Sequence, residues 1–174
     1  MEILYLTAYN IIQHTKGRKL MYTYHSRSRR ILDFLSRTRP AAVAQICGTV
    51  DYPTVCGTLM LFDSHAGVFA VISVGGIPKE IGCGNILGMH IHDPETGKHF
   101  DKDDNPHPWH SGDLPPLFVE KTEAWAAFLT ERIRVCDVLG KNVVIHSRRD
   151  DFTTQPSGDS GEKIAYGVIK PNTM

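Results

Sequence analysis

The side chains best equipped for chemistry in this chain are its histidines, nine in all, six of which fall between His90 and His146. The stretch HPWHSGDLPPL sets His107 and His110 three residues apart and Asp113 three further on, braced by Pro106, Pro108, Pro115 and Pro116. Imidazole and carboxylate are donors that zinc accepts, and the prolines limit the entropy lost when such a loop captures an ion. One more imidazole would complete a tetrahedral set. Without a metal, the same residues would make a polar turn in which Asp113 hydrogen-bonds the backbone.

Two further places carry histidine on apolar strands. In GMHIHD, His90 and His92 flank Ile91, and the period of two along a strand sends both imidazoles to one face, where they can converge on one ion. The plainer reading of an isolated pair is two solvent-facing polar positions on a half-exposed strand. His146 ends the apolar run NVVI, so a buried strand delivers it to a loop boundary, rigid yet close to solvent. His14, His25 and His65 have no such neighbours and read as surface residues.

The elements that position these groups read as strands. From Ala41 onward, short runs rich in Val, Ile, Phe and Thr alternate with Gly, Pro or Asp: AVAQICGTV, CGTLMLFD, GVFAVISVGG, ILGMHIHD, AWAAFLTERIRV, NVVIHS and IAYGVI. No convincing long helix intervenes, and the pattern predicts an antiparallel sandwich or barrel. Two long segments, Asp93 to Thr122 and Ser147 to Lys163, break the rhythm next to the histidines, and loops of that length in a compact domain are usually functional. Residues 1–39 differ. There HSRSRRILDFLSRTRP predicts a short amphipathic helix ended by Pro40, forming an extension ahead of a domain over 40–174.

Composition narrows the function classes. At 174 residues and 41% hydrophobic content the chain can bury a proper core. Lys plus Arg equals Asp plus Glu at 19 each, so no global charge points to nucleic acid or an anionic membrane as partner. No apolar run is long enough to span a bilayer, and the first twenty residues lack the pattern of an export signal. Cys47, Cys56, Cys83 and Cys136 are scattered without a CxxC pair, which predicts reduced thiols and a cytoplasmic location.

Taken in order, CGTLMLF, GMHIHD, KHF, HPWHSGDLPPL and VVIHSRRDDFTTQPSGDSGEKIAYGVI resemble the copper/zinc superoxide dismutase family, across about Pro40 to Ile169. The resemblance is to its short bacterial branch. It implies an all-β, immunoglobulin-like Greek-key sandwich or flattened barrel of about eight antiparallel strands with two long functional loops. It also implies that His90, His92, His99 and His146 bind copper and that His99, His107, His110 and Asp113 bind zinc. His99 would bridge the two metals and take part in proton delivery, while Asp150 would link a copper ligand to a zinc ligand. The implied activity is dismutation of superoxide anion to dioxygen and hydrogen peroxide. Lys163 stands where the family usually has arginine, keeping the charge that attracts the anion but not the planar fork. Arg148 and Arg149 could assist it or be plain solvated loop charges.

The pattern also departs from the family. Its intrasubunit disulfide has neither end here: the connection from His92 to His99 is DPETGK, and Tyr166 occupies the last-strand cysteine position. Loss of such a staple can cost on the order of 2 to 5 kcal/mol, so metal-free stability is expected to be low. A homodimer is compatible with the resemblance. The competing readings are a copper/zinc-binding protein with a storage, delivery or structural role, and an adhesion sandwich, which leaves the histidines unexplained.

Overall fold

The computed structural model describes residues 37–81 and 86–173, together with Asp33 and Leu35. The chain divides into two units, Met1–Thr38 and Arg39–Met174. In the first, Asp33, Leu35 and Arg37 are helical. The rest of the expected helix, with His14 and His25, lies outside the described residues.

Among the described residues, the second unit is a ten-stranded antiparallel sheet: β1 Ala42–Gly48, β2 Cys56–Ser64, β3 Gly67–Gly75, β4 Ile86–Leu87, β5 Met89–His92, β6 Leu117–Glu120, β7 Glu123–Thr130, β8 Asn142–His146, β9 Lys163–Val168 and β10 Lys170–Pro171. The pairing order is β4-β6-β7-β3-β2-β1-β9-β8-β5, with β10 on β1. The two end strands, β4 and β5, are separated in sequence by Gly88 alone, so the sheet curls round until its ends meet in a nearly closed barrel. This is the all-β barrel that the strand pattern predicts.

Burial along the strands is period-two in β1 and continuous in the apolar runs of β3 and β8. In β1, Ala42, Ala44 and Ile46 point inward while the residues between them stay at least partly exposed. The same inward row continues through Leu59 and Leu61 of β2, Ile72 of β3, Val143 and Ile145 of β8 and Ile164 of β9, all in one core. Ile91 of β5 belongs to that core and is fully buried. Burying such a side chain contributes about 1.5–3 kcal/mol, and a one-residue slip of β5 would replace it with a histidine. The core thereby fixes the face on which His90 and His92 emerge.

Three details differ from the sequence expectation. ILGMHIHD is two strands, because Gly88 breaks the ladder: its N–H donates to Arg148 O at 2.7 Å and its carbonyl accepts from His146 N at 3.0 Å. A Cβ there would sit 2.8 Å from Ser160 Oγ, so the close approach needs glycine. Leu117–Glu120 is a strand inside the expected loop, with alternating burial that four residues between Pro116 and Lys121 signal only weakly. AWAAFLTERIRV stops pairing at Thr130 and gives way to a helical turn at Val135–Val138.

Candidate metal centre

Three segments bring the histidines to one place. β5 carries His90 and His92, and β8 carries His146, paired antiparallel to β5 with Met89 opposite Ile145. The β5–β6 connection then folds back along β5. Ile91 N–H donates to Gly112 O at 2.9 Å, and Phe100 N–H donates to Ile91 O at 2.7 Å. Isolated bridges place His99 beside His92 and Asp113 beside His90. Gly112 is required for this path, since a Cβ would lie 2.5 Å from Ile91 O. The connection covers the outer face of β5, so His90 and His92 are buried there rather than solvent-facing.

The result is two donor clusters sharing one residue. His90, His92, His99 and His146 offer one ring nitrogen each, with these atoms within 4.8 Å of one another, and so do His99, His107, His110 and Asp113 with its carboxylate. The His90 and His99 rings are stacked at 3.9 Å between centroids. His99 Nδ1 lies 2.7 Å from Asp113 Oδ1, while the Nδ1 atoms of His107 and His110 each lie 3.1 Å from Asp113 Oδ2. His99 Nε2, on the other side of the ring, is buried without a hydrogen-bond partner.

Hydrogen bonds around the rings select which nitrogens are free. His92 Nδ1–H donates to Gly97 O at 2.9 Å and His146 Nδ1–H to Gly161 O at 3.2 Å, which leaves their Nε2 lone pairs facing each other at 3.3 Å. His90 Nε2–H donates to Asp150 Oδ2 at 2.6 Å, and His107 Nε2–H donates to Asp150 Oδ1 at 2.9 Å. One buried carboxylate thus orients a ring in each cluster. His90 Nδ1, His99 Nε2, His107 Nδ1 and His110 Nδ1 are buried without a hydrogen-bond partner. Leaving such groups unpaired costs about 1–3 kcal/mol each, and a cation held in each cluster would satisfy them.

The electrostatics favour neutral rings. Burial, followed by the neighbouring His99 and His146, pushes His90 down to about 2. Burial likewise lowers His92 to about 3 and His146 to about 4, with Lys163 adding to both shifts. Neutral imidazole is the ligating form. Burial alone would raise the Asp113 carboxyl, but the hydrogen bond to His99 and the charges of His99, His107 and His110 hold it below the usual range.

The 147–162 connection supplies the clamp. Gln155 accepts from His107 N–H at 3.0 Å through Oε1 and donates from Nε2 to His107 O at 2.5 Å. Asp150 Oδ1 also accepts from Phe152 N–H at 2.7 Å. Gly158, at φ +68, passes so close that a Cβ would lie 1.9 Å from Asp150 Oδ1 and 2.7 Å from His107 Nε2.

Residues 55–169, well over half of the chain, match the family described as copper/zinc superoxide dismutase (SODC). The chain belongs to this family. It is 31% identical over 142 residues to the superoxide dismutase [Cu-Zn] of Legionella pneumophila, covering 73% of this chain and 85% of the relative. The corresponding protein of Deinococcus radiodurans is 31% identical over 146 residues, covering 67% and 78%, and that of Actinobacillus pleuropneumoniae 39% over 141, covering 66% and 72%.

A cavity of about 510 Å³ opens onto His92, His99 and His146, and Lys163 lies on its wall. Lys98 lines it too, a cation whose direction nothing in GKHF marks. Gln155 and Gly158 were equally silent, because each meets His107 from 48 or more positions along the chain. Arg148 does not stand as a free steering charge: it pairs with Asp159 at 3.0 Å on the exposed surface. His65 is exposed, away from both clusters.

Proposed function

We propose that the protein dismutates superoxide to dioxygen and hydrogen peroxide, with His90, His92, His99 and His146 holding copper and His99, His107, His110 and Asp113 holding zinc. The observation that carries this reading is the sharing of His99, a residue common to two adjacent donor sets. An all-imidazole set suits a metal that changes oxidation state, and three imidazoles with a carboxylate suit closed zinc ligation. Copper would supply the alternating one-electron chemistry and zinc a fixed, redox-inert charge.

The chain's own part is geometry and charge. Asp150 and the carbonyls of Gly97 and Gly161 fix ring orientation and tautomer, so the donor nitrogens meet an ion without rearrangement. Lys163, on the cavity wall with Lys98, draws the anion toward His92 and His146. Glu162, Asp101 and Asp104 line the same cavity and oppose them, so attraction has to be local to the inner end. His99 Nε2, buried and without a hydrogen-bond partner, would hold the proton passed to the peroxide.

His146→Ala tests the reading. The variant is expected to lose dismutation, measured by superoxide-driven reduction of cytochrome c, while retaining zinc, because His146 belongs to only one donor set. Loss of zinc together with activity, or retention of activity, would contradict the assignment. A cytoplasmic location is our reading of the scattered cysteines, and cell fractionation decides it.

A further inference from the structure

Two cysteines lie opposite each other on neighbouring strands, remote in sequence from the metal ligands. The register pairs Cys47 of β1 with Cys56 of β2. At the next position toward the turn, Gly48 N–H donates to Val55 O at 2.7 Å. Hydrogen-bonded and non-hydrogen-bonded pairs alternate along an antiparallel ladder, so Cys47 and Cys56 are a non-hydrogen-bonded pair, with Cα atoms about 4.5 Å apart and side chains at their closest. A disulfide accepts Cα separations of about 4.4–6.8 Å. Directly opposed residues project from the same face of the sheet, and both thiols are exposed. On its other side Cys47 faces Tyr166 of β9, itself half exposed, so the face is open to small solutes.

We propose that Cys47 and Cys56 form a reversible thiol–disulfide couple oxidised by hydrogen peroxide. One sulfur attacks a peroxide oxygen as thiolate and the O–O bond breaks, giving a sulfenic acid and one water once the displaced hydroxide takes up the thiol proton. The second sulfur then attacks the sulfenic sulfur, the S–O bond breaks, and the S–S bond forms with release of a second water. The two thiols give up two electrons and two protons, and peroxide becomes two waters. The bridge fastens the base of the turn between β1 and β2. That turn is tied to β9, where Thr49 N–H donates to Ile164 O at 2.9 Å, and to the end of the 147–162 loop, where the Tyr52 hydroxyl donates to the carboxylate of Glu162, next to Lys163.

Peroxide is the product of the activity proposed above, but the couple rests on its own strand geometry. It is tested with added peroxide, so failure of the dismutase reading leaves the test intact. The full-length, metal-loaded protein is treated with limiting hydrogen peroxide, alkylated, digested and analysed by mass spectrometry. The expected result is a peptide linking Cys47 to Cys56, with titratable thiols falling from the chain's four to two and returning on addition of reduced glutathione. Cys136→Ser should keep the link, and Cys47→Ser or Cys56→Ser should abolish it. Links to Cys136 or to a second chain, oxidation of the two thiols to unlinked sulfinic acids, or a bridge that glutathione does not open would each overturn the proposal.

Discussion

Replacing Asp150 by asparagine removes a charge without changing size, and its effect can be worked out atom by atom. The carboxylate accepts three donors: His90 Nε2–H on Oδ2, and His107 Nε2–H with Phe152 N–H on Oδ1. Asparagine keeps one acceptor oxygen and presents an NH2 where the other was. The oxygen should stay with the two donors at the Oδ1 position, which turns the amide NH2 toward the His90 N–H. Two donors then face each other in a position only 4% exposed. Losing one buried, charge-assisted hydrogen bond and leaving its donor unpaired costs about 1–3 kcal/mol. Breaking the carboxylate support of a ligand imidazole typically lowers metal affinity about 10–100-fold. Copper affinity should therefore fall by about that factor in Asp150→Asn, with zinc affinity changed less, because His107 retains its acceptor. Competition titrations against graded chelators, one metal at a time on protein shown to be folded by its melting transition, measure both. Unchanged affinities, or a larger loss for zinc than for copper, would refute the reasoning.

Other perturbations follow from the same geometry. Because His90, His92 and His146 have folded-state values of about 2, 3 and 4 against 6.5 unfolded, the unfolded chain binds more protons below 6.5. The metal-free protein should then lose stability as pH falls, by roughly 2 kcal/mol per ring at pH 5 before coupling among the rings reduces the total. A denaturant midpoint that stays constant from pH 7 to 5 would contradict this. Lys163→Ala should lower kcat/KM for superoxide by up to about tenfold at low ionic strength, with the difference shrinking as salt screens the cavity; a salt-independent loss would point away from steering. Gly158→Ala must push a methyl into Asp150 and His107 at a left-handed backbone position, so the melting transition should drop by the equivalent of about 1–3 kcal/mol, and an unshifted transition would show that the loop yields freely.

The parts of the fold legible in the sequence were those governed by local pattern. Runs rich in Val, Ile, Phe and Thr between turn residues, such as those holding Ile46, Ile72 and Ile145, identified strands, and the HxH spacing around Ile91 put His90 and His92 on one face. What escaped depends on contacts far along the chain. Gly88 looks like one more residue in a β run until Ser160 and the backbone of Arg148 are seen beside it. Leu117–Glu120 is too short for alternation to stand out between prolines and Lys121. Gln155 and Gly158 carry no signal of their own, since their roles exist only where the 147–162 loop meets His107 and Asp150. His99 was visible only through the family resemblance, because a single histidine in DPETGKHF has no spacing partner.

The most direct test of the account is to load the full-length protein with one copper and one zinc per chain, verify both by elemental analysis, and measure its suppression of superoxide-driven cytochrome c reduction. Strong suppression is expected, and it should be lost when copper alone is withdrawn. A protein carrying both metals that suppresses no better than its metal-free form would contradict it.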